Sequence, residues 1–165
     1  MNKQKGFTII EFLIYIGILS IILLVFIEMF ISLTRVRTEN ESTSNIQQDS
    51  SYLINKFIYD IHQTKTISLP LHPPNQSNVL DVIINGTNYS YATDSAKNLI
   101  MSDGINNYQL NGYDTSIPKI LFTRFGQDDI HDVIKIQFTV TSRVRNPAGF
   151  ESQTYETVIG LREKP

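Results

Sequence analysis

The sequence predicts an α+β fold: one long amino-terminal helix, apolar enough along its first half to cross a membrane, packed through its second half on a carboxy-terminal antiparallel β-sheet. Three observations carry this. Residues Phe7 to Leu33 form an almost unbroken apolar run. Leu53, Ile54, Phe57, Ile58 and Ile61 recur at the three- and four-residue spacing of one helical face. From Val79 onward, alternating apolar segments are punctuated by Gly, Pro, Asn and Asp, which is the signature of short strands and turns.

The apolar run comes first. At about 1.5 Å per residue, a helix of that length exceeds a bilayer core of about 30 Å. Met1 to Gly6 precede it and carry Lys3 and Lys5, a basic patch that stays on the cytoplasmic side and directs the rest of the chain outward. Arg35 and Arg37, beyond the run, oppose that inference. A secretory signal peptide has an apolar region of only about 7 to 15 residues ending in a small-residue cleavage site, so removal of this whole segment is not expected.

Glu11 is the exception within the run. A carboxylate in an apolar helix costs on the order of 2.5 to 3.5 kcal/mol on insertion scales and marks function or pairing. The neighbouring helix residues offer no cation, so the partner is another protein or an amine created elsewhere. Cutting between Gly6 and Phe7 would create such an amine.

The segment Lys5-Gly6-Phe7-Thr8-Ile9-Ile10-Glu11 resembles the processing motif of type IV prepilins and type II secretion pseudopilins. The resemblance covers about the first thirty residues. It implies that prepilin peptidase cuts after Gly6 and N-methylates Phe7, leaving Glu11 as the acid used in assembly. It also implies other pilin or pseudopilin subunits and an inner-membrane assembly platform as partners, with lipid around the precursor. The precursor would then be a single-pass membrane protein with its carboxy-terminal domain extracytoplasmic, later incorporated into a cell-surface or periplasmic filament. Side-by-side packing would pair Glu11 with the Phe7 ammonium of an adjoining subunit and relieve two burial costs together.

Glu28 has two readings, a carboxylate at the headgroup level in contact with water, or a specific contact within an assembly. Many major pilins carry a helix-breaking proline in this region, and this chain does not. Gly17 and Ser20 are small enough to let helices approach closely, although one such pair is common by chance.

Residues 1–6 are thus expected to be a leader, 7–33 a transmembrane and filament-core helix, 34–67 the outer half of the same helix, and 68–165 the antiparallel β domain. Thr38 to Ser51 is polar, with Ile46 its only aliphatic residue, and reads either as helix or as hinge. The periodic face runs to about Thr64, and Pro70, Pro73 and Pro74 exclude helix beyond. Val79 to Ile84 and Asn88 to Tyr91 flank Asn85-Gly86, a strong hairpin signal. Short strands follow at Leu99 to Met101, Tyr108 to Leu110 and Ile120 to Phe125. Val133 to Thr141 and Thr154 to Ile159 then make a closing hairpin around Asn146-Pro147-Ala148-Gly149. The helix from Asp49 to Ile67 followed by β structure resembles J-type pseudopilins and W-type minor pilins in element order.

Composition and motifs restrict the remaining functions. With no cysteine, disulfides, thiolate nucleophiles and cysteine metal sites are excluded. The formal charge is −2, and loss of the two leader lysines, Lys3 and Lys5, takes it to −4, so general attraction to nucleic acid is absent. His62, His72 and His131 show no paired ligand spacing, and neither a phosphate loop nor a nucleophile elbow is present. No catalytic residue, cofactor or metal is therefore expected. Asp128, Asp129 and Asp132, beside Gln127 and His131, are acidic enough to hold calcium, but their spacing is not that of an EF-hand and turns are often Asp-rich for backbone reasons. If their strand is unbroken, Lys135, Arg143 and Arg145 share one face, which is thin support for nucleic acid as a partner and is equally explained by a solvated strand face. Tyr89 and Tyr91 read as cross-strand packing.

The preferred reading is a minor pilin or pseudopilin of a type IV pilus, competence or type II secretion-like filament, and not an enzyme. A major pilin is the close alternative. A single-pass, signal-anchored extracytoplasmic domain with binding or enzymatic activity is the alternative from another class.

Overall fold

The computed structural model describes residues 8–71, 75–126, 133–146 and 149–161. The chain divides into two compact units, Met1–Glu39 and Asn40–Pro165. A single helix, α1 (Ile9–Gln63), contributes to both. The segment Thr38 to Ser51 is helical throughout.

In the first unit, the large apolar side chains of α1 point outward on every side, from Ile9 through Leu33. An 18-residue window of the helix has a mean hydropathy of 2.8, and none of it is buried. A soluble core helix of this hydropathy would bury most of it, so the unit is built for an apolar surrounding. Several of its hydroxyls bond back to carbonyls of the same helix. Ser20 donates to the Ile16 carbonyl at 2.8 Å, and Thr34 to that of Phe30 at 2.9 Å. Such bonds let hydroxyl side chains sit in hydrocarbon without an orphan donor.

In the second unit α1 buries one stripe: Ser42, Ile46, Ser50, Leu53, Phe57, Asp60 and Ile61. Leu53, Phe57 and Ile61 belong to the face predicted from spacing, while Ile54 and Ile58 pack at its margin. The polar segment before them also contributes. Ile46 is fully buried, and the small side chains Ser42 and Ser50 are buried on the same stripe.

The helix stops at Gln63 rather than continuing to Ile67, so the boundary expected for the outer half of the helix is corrected here. Thr64, Thr66 and Ile67 are β-branched and favour extended backbone, and their segment, β1 (Thr64–Leu69), pairs with β3 (Leu80–Ile84). β structure therefore begins before residue 68.

The single expected sheet is two antiparallel sheets. The first has the order β1-β3-β4-β5-β6, with β4 (Thr87–Thr93), β5 (Leu99–Ser102) and β6 (Asn107–Gln109). The second has the order β2-β7-β8-β9, with β2 (Asn75–Ser77), β7 (Thr115–Phe125), β8 (Val133–Asn146) and β9 (Gly149–Gly160). The hairpin at Asn85-Gly86 is present: φ is 51° at Asn85 and 86° at Gly86, the pair of positive values that a two-residue primed turn requires. β7 begins five residues earlier than expected. Pro118 conceals that start, and the register shifts between Ser116 and Lys119 to accommodate it.

Phe57 ties α1 to both sheets. Its ring centroid lies 5.6 Å from Tyr91 of β4, 5.8 Å from Phe122 of β7 and 6.5 Å from Phe138 of β8. Around it the core is aliphatic, with Leu53, Val82, Ile117, Ile134 and Ile136 fully enclosed. Burial of these side chains supplies most of the energy that holds helix and sheets together.

Candidate functional site: the start of the apolar helix

The first turn of α1 is closed by a reciprocal pair of hydrogen bonds. The Thr8 amide donates to Glu11 Oε2 at 3.3 Å, and the Glu11 amide donates to Thr8 Oγ1 at 3.3 Å. The Thr8 hydroxyl also reaches Oε2, at 3.4 Å. This is a capping box: threonine at the N-cap and glutamate three residues later each satisfy an amide that the helix leaves without a partner. The pattern Thr-x-x-Glu was readable in the sequence, yet Glu11 stood out only as a buried-charge problem.

The box engages one carboxylate oxygen. Oε1 of Glu11 has no hydrogen-bond partner among the described residues, and the side chain lies on the exposed surface of the unit. Gly6 and Phe7, the predicted cleavage and methylation residues, lie outside the described residues.

The other candidates are dispersed. Asp128, Asp129 and Asp132, with Gln127 and His131, also lie outside the described residues, as does His72. Among the described residues, no three His, Cys, Asp or Glu side chains gather as metal ligands would. His62 lies exposed in the last turn of α1. Lys135, Arg143 and Arg145 do share the outer face of β8, but two of them are engaged. Lys135 pairs with Glu156 at 2.7 Å, and Arg143 donates to the Ala96 carbonyl at 3.1 Å and to Asn98 Oδ1 at 2.6 Å.

Tyr91 does more than pack. Its hydroxyl donates to Asp60 Oδ2 at 2.5 Å, and Lys56 Nζ contacts Asp60 Oδ1 at 2.9 Å, so a buried carboxylate is bonded from two sides. Burial, and then the bond to Asp60, push the Tyr91 hydroxyl far above its ordinary range, which keeps it a donor. This group fixes α1 on the first sheet. A second polar anchor, also missed from sequence, joins Asp49 of α1 to the loop before β7. Gly112 N donates to Asp49 Oδ2 at 2.8 Å, and the Thr115 hydroxyl donates to the same oxygen.

The start of the chain has a counterpart among known families. Residues 1–27 match the model of the prokaryotic N-terminal methylation motif. That match supports a type IV pilin-like family. It covers the predicted leader, the capping box and most of the apolar helix, and it supports a type IV pilin-like precursor processed by prepilin peptidase. For a type IV pilin-like chain, the motif points to a structural subunit, anchored in the membrane as a precursor and assembled with other pilins. No curated protein and no solved structure matches the chain.

Proposed function

We propose that the chain is a minor pilin or pseudopilin, cut between Gly6 and Phe7 and methylated at Phe7, whose apolar helix enters the core of a pilus, competence or secretion-type filament. The observation that carries this reading is the state of Glu11. Its carboxylate is held at the first turn of an unburied apolar helix, directly after the Gly6-Phe7 bond, with one oxygen bonded to Thr8 and the other open. An ammonium released on Phe7 supplies the charge that the open oxygen needs, from a neighbouring subunit packed alongside. Helix burial against such neighbours then covers the apolar side chains, while the two-sheet domain remains outside the helical core of the filament.

Mass spectrometry of the membrane-extracted protein tests the processing step. The expected mature amino terminus is methylated Phe7, absent from cells without prepilin peptidase. An intact Met1 terminus in cells with the peptidase would reject the reading in favour of a signal anchor.

A further inference from the structure

We propose that Glu28 of one copy of this chain pairs with Arg37 of a neighbouring copy when their apolar helices pack side by side. The inference rests on the filament reading above, in the form in which copies of this chain neighbour one another, and extends it to a second contact, 17 residues beyond Glu11.

Glu28 lies within the apolar stretch of α1 and is exposed, as are Arg35 and Arg37 just beyond it. None of the three enters an ion pair among the described residues. An acid in an apolar helix that pairs with no cation of its own chain is left for a partner of opposite charge, and a second copy of the same helix carries one.

Helix geometry chooses between the two arginines. Copies that add head to tail in a polar filament meet through different faces, so the acid and the base must point to opposite sides of the helix. Glu28 and Arg37 are nine residues apart, about 2.5 turns, and face opposite ways. Glu28 and Arg35 are seven apart, almost two whole turns, and share one face.

The axial spacing agrees with the Glu11 contact. Nine residues rise about 13.5 Å, and the four from Phe7 to Glu11 about 6 Å. A stagger midway between these two rises leaves each pair offset by only about 4 Å along the axis. Side chains on a helix lean toward its amino terminus, so Arg37 leans toward the Glu28 of the copy displaced outward. One stagger satisfies both charges.

Charge exchange tests the pair. Glu28→Arg alone and Arg37→Glu alone each place like charges in contact, and assembled protein is expected to fall at least about tenfold in either. Both changes in one chain restore assembly. Co-production of the two single variants restores it too, because alternating copies then present opposite charges at every contact. A pair formed within one chain is not rescued by co-production, so that failure overturns the proposal, as does normal assembly of either single variant. Arg35→Glu is the control and is expected to lose far less.

The cysteine-free chain permits a second readout that does not need finished filaments. A copy with Glu28→Cys and a differently tagged copy with Arg37→Cys should join through a short bismaleimide in membranes, well above the yield with Arg35→Cys. If the protein carries methylated Phe7 but positions 28 and 37 do not join, this contact is wrong while the filament reading stands. An intact Met1 terminus in the same samples removes that reading and the contact with it.

Discussion

Glu11 reaches back three residues to accept the Thr8 amide, and Thr8 in turn accepts the amide of Glu11. The acid thus serves two demands: it caps its own helix, and it carries a charge in an apolar segment. These demands separate by substitution. Glutamine serves as well as glutamate in a capping box but carries no charge. Glu11→Gln is therefore expected to leave the first turn as protected from amide exchange as in the parent, in micelles, while assembly with other subunits fails. Equal assembly by the glutamine variant would show that capping, and not charge, is what Glu11 contributes. Thr8→Ala gives the complementary result: the first turn loosens by about 0.5 to 2 kcal/mol in amide exchange while the charge remains.

The Tyr91 hydroxyl predicts an alkaline weakness in the second unit. Its folded pKa is raised above the ordinary 10.0 by burial first and by the bond to Asp60 second. A raised pKa means that the folded state holds the proton more tightly than the unfolded chain. Stability from this group is complete below about pH 10 and is lost as the pH rises, because the unfolded chain then releases a proton that the folded state retains. Urea unfolding of the full chain in micelles should show stability falling above pH 10, with a shallower fall in Tyr91→Phe. At neutral pH that variant loses a buried bond to a charged acceptor and should cost about 1 to 3 kcal/mol.

Legibility in the sequence followed the range of the interactions. The apolar run, the helical face through Leu53, Phe57 and Ile61, and the Asn85-Gly86 hairpin depend on neighbours a few residues away, and each was readable. β1 and β2 were not, because each is short and owes its extended state to a strand elsewhere, β3 and β7 respectively. The division into two sheets was hidden for the same reason. At the candidate site, the acid was visible as an anomaly of solvation and its cap was overlooked, although Thr8 and Glu11 stand at the required spacing. Asp49 and Asp60 stand in no sequence pattern that separates them from other helix acids. Only their tertiary partners, Gly112, Thr115 and Tyr91, distinguish them.

Two turns in the first sheet contribute to its response to acid. Asp94 Oδ1 accepts the Asn98 amide at 2.7 Å, and Asp103 Oδ1 accepts the amides of Ile105 and Asn106 at 2.9 and 2.6 Å. These bonds to backbone amides hold both carboxyls below the ordinary 3.8. A lowered pKa contributes stability above the unfolded value, and that stability is lost as the pH falls through the folded value. The expected loss therefore lies below about pH 4. Asp94→Asn with Asp103→Asn should flatten this part of the acid unfolding profile and leave the alkaline limb due to Tyr91 untouched. An unchanged acid limb would mean that other carboxyls set it.

Gly112 and Asp49 give the last prediction, because the helix carboxylate occupies the space a side chain at position 112 would need. A Cβ at that position would meet Asp49 Oδ2 at 3.2 Å and Oδ1 at 3.4 Å. The carboxylate has little freedom to retreat, since Gly112 N and the Thr115 hydroxyl both bond to Oδ2. Gly112→Ala must stretch those bonds or shift the loop and is expected to cost about 1 kcal/mol or more. Asp49→Ala removes the acceptor and strands the Gly112 amide, at about 1 to 3 kcal/mol. The two losses share one contact, so the double variant should cost clearly less than their sum. Additive losses in urea unfolding would mean that the loop before β7 and the helix are held independently of this bond.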